Sequence, residues 1–266
     1  MIQGQVSVRT PLQISVSVWR ALILREMLQR FFSARGAWVW LMIEPLFHAA
    51  YLTLIYTVIR MHSVGGIDTV IWLLSGLMGY FLFSRTAAQV SGALAANHPL
   101  FSYRQVKPFD TVVARAVLEG ILTIVITVAV FIGAALLGHD LLPEAPLVVL
   151  MAFGSAWLIG FGWGLIIAVI RALIPELGTL IDLLIQRPLY LISGVIMPLS
   201  ALPTQIREVL MLNPLAHAFE LIRQGISSHY YAAPEVDLAY PFTAALVLVF
   251  LGMLLMRRFA WKIVAK

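Results

Sequence analysis

Four ionisable residues stand inside long apolar stretches of this chain: Glu44, Arg85, Asp182 and Arg187. A charge at membrane depth is costly, so such residues pair with one another or line a polar path. At 1.5 Å per residue Glu44 lies about 10 Å in from the basic end of its stretch, and the other three fall at comparable depth. Two readings stay open. Glu44 or Asp182 neutralises Arg85 or Arg187, or the arginines form a vestibule for an anionic lipid head group, whose phosphate a guanidinium binds through two parallel hydrogen bonds.

Two further groups carry polar chemistry. Within Ala95–Pro108 come Asn97, His98, Leu100, Phe101, Tyr103, Arg104 and Lys107, an apolar turn with aromatics in a short connection. Aromatics there need a surface to pack on. That surface is either the chain's own helix ends or a partner anchored by Phe101 and Tyr103, with Arg104 and Lys107 around them. The other group is Asn213-Pro214 followed by His217, Glu220 and Arg223. Asn caps a helix and Pro opens it, and the i, i+3, i+6 spacing puts the three polar residues on one side. Both a surface helix with an exposed ion pair and a short helix dipping back toward the membrane fit.

Enzyme signatures are missing from the chain. It has no HExxH, no GxxxxGK[ST] and no GxSxG. His48, His62, His98, His139, His217 and His229 lack ligand spacing, and the absence of cysteine removes disulfides and thiolate metal sites. Inside the spans the acids counted are Glu44 and Asp182, too few for paired-carboxylate work.

The elements that position these residues follow from composition. The 266 residues are 61% hydrophobic and 12% charged, with mean hydropathy +0.93. An ordinary soluble domain is about a quarter charged, so the chain is an integral membrane protein. Apolar runs predict six spans, near Ala37–Ile59, Thr69–Ser91, Thr111–Leu137, Leu147–Ile170, Gly178–Leu199 and Tyr240–Met256, the fifth broken at its outer end by Gly194, Pro198 and Pro203. One side carries Arg9, Arg20, Arg25, Arg30, Arg35, Arg104, Lys107, Arg115, Arg171, Arg257, Arg258, Lys262 and Lys266, the other Arg60, Arg207 and Arg223. This asymmetry puts both termini in the cytoplasm and residues 200–239 outside, and it explains the net charge of +5 without a nucleic-acid partner. Ahead of the first span, Trp19, Ile23, Met27 and Phe31 step by four, which predicts a helix on the membrane surface. It serves as a simple anchor or also docks a partner.

Several pieces of this pattern are shared with a known family. They are Arg25-Glu26 with Arg30, then Trp38, Glu44-Pro45 and His48; Val106-Lys107-Pro108 with Asp110 and Arg115; Ser193-Gly194-Val195 through Pro198 to Pro203; and Asn213-Pro214-Leu215 with His217, Glu220 and Arg223. Over nearly its whole length the chain resembles the permease subunits of type-2 ABC exporters, and most closely those that export capsular polysaccharide.

The resemblance implies an all-α fold: a cytoplasmic interface helix within residues 1–36, then a six-span domain over 37–266. A coupling helix lies between the second and third spans, and re-entrant external helices within 200–239. It further implies a homodimer in a bacterial inner membrane, two copies of a cytoplasmic ABC ATPase, a periplasmic co-polymerase-type partner and a lipid-linked acidic polysaccharide as cargo. The chain itself holds no cofactor; ATP and Mg belong to the ATPase. Exporters of O-antigen or teichoic acid share the architecture. An intramembrane transferase and a proton-driven transporter are the rivals from other classes.

Overall fold

A computed structural model describes residues 10–32, 37–58 and 63–264. Arg9, Arg35, Ile59, Arg60, His62 and Lys266, all used in the sequence reading, lie outside the described residues. Helix α1 (Pro11–Phe32) precedes α2 (Ala37–Val58). A two-residue antiparallel ladder of β1 (Ser63–Val64) and β2 (Ile67–Asp68) leads into α3 (Thr69–Ser91). Asp68 caps α3, its carboxylate accepting from the Val70 and Ile71 N–H groups at 2.7 and 3.3 Å. Short α4 (Ala93–Ala96) and a 3₁₀ turn (His98–Ser102) reverse the chain into α5 (Pro108–Leu136), which Pro108 opens. Then come α6 (Pro146–Leu173), α7 (Pro175–Ile181), α8 (Arg187–Ile192), α9 (Thr204–Leu210), α10 (Pro214–Ile226) and α11 (Ala239–Val264).

Four of these helices, α3, α5, α6 and α11, are long and apolar enough to cross a membrane. Helix α2, kept helical through an internal Pro45, occupies the place of the first expected span. The fifth departs from expectation: instead of one helix over Gly178–Leu199, α7 and α8 flank a π-helical turn at Asp182–Gln186, and the helix ends at Ile192. Pro188 has no N–H for the carbonyl four residues back, and a widened turn is one way a helix absorbs that loss. Gly194 then takes φ +76°, a conformation most side chains disfavour, and turns the chain away.

The core is built on α3 and α6. Trp72, Leu77 and Met78 of α3 are fully buried, and α6 approaches closely enough that a Cβ on Gly160 would stand 2.6 Å from the Phe83 carbonyl oxygen. Small residues at such crossings let membrane helices touch backbone to backbone. Helix α10 packs against both α3 and α6.

Helix α1 packs on α5, only partly through the apolar stripe read from the sequence: Trp19, Ile23 and Phe31 are half-buried, but Met27 is exposed. Its most buried positions are Leu22 and Glu26, with Arg30 half-buried in line with them. The outward stripe is Leu12, Val16, Leu24, Leu28 and Phe32. The charged residues turn inward because partners wait there.

Candidate functional site

At the basic end, two i, i+4 pairs face each other in register. Glu26 and Arg30 on α1 meet Arg115 and Glu119 on α5: Arg115 Nε donates to Glu26 Oε1 at 3.0 Å, and Arg30 pairs with Glu119. Asn97, buried after α4, donates to Glu26 at 3.2 Å and accepts from Arg25. Trp19 Nε1 adds a bond to Asp110 at 2.7 Å, and Asp110 also accepts from the Lys107 N–H at 2.9 Å. Burial alone would raise the Glu26 pKa, yet the Arg115 guanidinium, with help from Asn97 and Arg25, holds the carboxyl below its usual range. Arg25, Glu26, Arg30 and Asn97 thus form one joint between surface helix, turn and span.

This joint corrects the sequence reading. Glu119 is a third acid inside the expected spans, and at 2% exposure the most buried of them. Its signal was the Arg115–Glu119 spacing, opposite in sign order to Glu26–Arg30.

The turn residues divide. Phe101 is buried among Val90, Ala93, Leu94 and Val112 of the chain's own core, so it is no free anchor. His98 stands edge-on to it with ring centroids 5.9 Å apart, and Leu100 is half-buried. Tyr103 is 65% exposed, and Arg104 and Lys107 are exposed beside it.

The four charges within the apolar stretches also sort themselves. Arg85 Nη2 donates to Glu44 Oε2 at 2.8 Å. Asp182 pairs with Arg171 rather than with either expected arginine, and Arg171 also donates to Ser91 at 3.1 Å. Arg171 had been assigned to the basic surface; the π turn brings Asp182 back to it. Arg187 is exposed, with no ion pair or hydrogen bond among the described residues. Glu44 shares an outward stripe with Phe47, Tyr51 and Leu54, its own side chain 52% exposed. Arg187 lies with the exposed Leu180, Leu184 and Leu191 in the same way.

At the opposite end, α10 overturns the surface-helix reading. Glu220 and Arg223 are both fully buried. Glu220 Oε1 accepts from Arg223 at 2.9 Å and from the Tyr230 hydroxyl at 2.8 Å, and Oε2 accepts from the Ala233 N–H at 3.1 Å. Burial pushes the Tyr230 hydroxyl up to about 12, which keeps it a donor. His217 Nδ1 accepts from the Asp237 N–H at 3.0 Å, which leaves Nε2 to donate to the Met211 carbonyl at 2.7 Å. Asn213 caps the helix through Leu215 N at 3.1 Å and donates to Ser193 at 2.7 Å, beside the expected Pro214 start. Tyr230 and Trp72, which complete this cluster with Gly194, had no local signal; the three come from three other parts of the chain.

Comparison with known proteins gives this chain a family model and relatives. The family model for ABC-2 type transporters matches residues 17–227. The chain is similar to the polysialic acid transport protein KpsM of Escherichia coli, 32% identical over 94% of this chain and 96% of that protein. It is likewise similar to the capsule polysaccharide export inner-membrane protein CtrC of Neisseria meningitidis, at 26% over 94% and 93%. BexB of Haemophilus influenzae, which bears the same description, is 23% identical over 96% of each.

Proposed function

This chain belongs to the ABC-2 type transporter family, and on that premise we propose that it is the membrane subunit of an ATP-driven exporter of lipid-linked, acidic capsular polysaccharide in a bacterial inner membrane. The observation that carries the reading is the placement of Glu44 and Arg187 on outward, otherwise apolar stripes of α2 and the α7–α8 segment. A charge on such a face is expensive against lipid tails, so these stripes face a polar path. One copy supplies only one wall of it. A second copy supplies the other, which makes the homodimer the working unit and these two segments its inner face.

Arg187 is the head-group contact in this reading. The Glu44–Arg85 and Asp182–Arg171 pairs neutralise each other, whereas the Arg187 guanidinium is available for phosphate. ATP and Mg sit on a separate cytoplasmic ATPase, two copies per dimer, because this chain has no phosphate-cradling loop. That ATPase docks over the 97–107 turn, with Tyr103 as anchor and Arg104 and Lys107 at its rim. The push passes through Asn97 to Glu26 and Arg115, so α1 and α5 move with the turn. The basic end is cytoplasmic, with both termini, and the α9–α10 end faces a periplasmic co-polymerase-type protein. The relatives' names, polysialic acid and capsule polysaccharide, support the cargo class.

Arg187 tests the path directly. Arg187→Gln should insert and assemble normally yet lower surface capsule. The Glu44→Gln, Arg85→Gln double variant removes a neutral pair and should export. Normal export by Arg187→Gln contradicts the head-group role.

A further inference from the structure

The α7–α8 segment is held differently from the rest of the molecule. Among its described residues Gly178 is the buried one in α7, and α8 buries none. Leu189 and Tyr190 pack half-buried against the core, Asp182 pairs with Arg171 at the near end, and the other ties are single side-chain hydrogen bonds. Tyr80 donates to the Gln186 carbonyl at 2.9 Å, His48 meets the Tyr190 hydroxyl at 2.7 Å, and Tyr56 bonds the Ile196 carbonyl. An element with few buried contacts and a handful of discrete bonds opens at low cost. A further bond lies just past its far end. Arg223, with no exposed surface, donates through Nη2 to the Gly194 carbonyl at 2.8 Å and through Nε to the Trp72 carbonyl at 3.3 Å. Its guanidinium lies 4.1 Å over the Trp72 ring and keeps Glu220 as counter-charge. The planar fork of a guanidinium reaches acceptors set apart from one another, whereas the three donors of an ammonium diverge from a single nitrogen.

We propose that Arg223 is a positioning residue for export: its bond to the Gly194 carbonyl latches the 193–202 strap, and with it the far end of the α7–α8 segment, in the closed position. This rests on the reading of that end as the outer mouth of the path. The mouth opens when Gly194 leaves Arg223 and the segment swings on the widened turn at Asp182–Gln186, while Arg223 stays paired with Glu220.

Two substitutions reach the latch independently. Arg223→Lys keeps the charge beside Glu220 and loses the fork. Gly76→Ala leaves Arg223 in place, but the new Cβ would collide with its Nη2, its next neighbours being Arg223 Cζ at 3.3 Å and the Val195 Cα at 3.6 Å. Alanine favours the α3 helix, so this variant displaces the guanidinium without unfolding the span. Gly154→Ala, where nothing lies within 4 Å, is the control.

The reporter is Leu199→Cys, at a strap position only 1% exposed in the closed structure, in a chain that has no other cysteine. In spheroplasts, an impermeant maleimide should modify the Leu199→Cys thiol about tenfold faster in both latch variants than in the parent or control, as expected for loss of one hydrogen bond from a charged donor. Membrane level and ATPase co-purification should stay normal. Parental labelling rates in Gly76→Ala, or in both variants, overturn the latch. Faster labelling with unchanged capsule export upholds the latch and instead removes the reading of this end as the mouth of the path.

Discussion

Single residues in this protein divide by whether their charge is answered inside the chain. Glu26, Glu119, Asp182 and Glu220 each have an arginine, and breaking the pair at a buried acid, Glu26, Glu119 or Glu220, costs about 3–5 kcal/mol because it strands the other charge. Glu26 adds a pH dependence with a defined sign. Its folded pKa lies below the ordinary 4.5, so its pairing contributes stability above that value and loses it as pH falls through the lowered one. Glu26→Gln should therefore flatten the acid limb of the thermal-stability profile below about pH 4.5, measured on purified protein in detergent. An unchanged limb means that the Arg115 bond is not what holds the carboxyl ionised. These pairs were half legible. Complementary i, i+4 charges on two helices are visible in the sequence, but which helices meet is settled by packing at long range, so Glu119 was passed over and Asp182 was given the wrong arginine.

At the scale of elements, the turn between α3 and α5 places a buried and an exposed aromatic within a few residues. Phe101 packs inward and Tyr103 outward. Phe101→Ala should destabilise the membrane subunit itself, by about 3–5 kcal/mol for a core phenylalanine, and lower its level in the membrane. Tyr103→Ala should leave that level intact and weaken recovery of the ATPase by about 2 kcal/mol, the lower bound of an interface hot spot. Pull-down normalised to membrane level separates the two. Equal loss of ATPase per inserted chain in both variants contradicts the division. Most helix starts were legible to within a few residues: stretches expected from Thr69, Thr111, Leu147 and Tyr240 begin at Thr69, Pro108, Pro146 and Ala239, and Asn213-Pro214 marks a start by local chemistry. The break at 182–186 was not, since a widened turn depends on long-range packing around the segment, where Tyr80 donates to the Gln186 carbonyl. The burial of α10 was hidden for a related reason. Its Glu220 and Arg223 look solvent-facing until Trp72, Gly194 and Tyr230 come to meet them.

The whole molecule is a helical membrane protein of the ABC-2 type transporter family, with charged stripes left facing outward on α2 and the α7–α8 segment. Membrane character was plain from composition, and the family from short motifs spread along the chain. The outward placement of Glu44 and Arg187 was not legible, because long-range packing decides which face of a helix is left exposed. The measurement that bears most directly on the account is purification of tagged chain from native membranes, followed by reconstitution into liposomes with whatever protein accompanies it. The account predicts that a cytoplasmic ATPase co-purifies in equal copy number. It also predicts that translocation of lipid-linked acidic polysaccharide requires hydrolysable ATP and persists when the proton gradient is collapsed. A chain that purifies without an ATPase, and whose transport stops with the proton gradient but not with ATP removal, would contradict it.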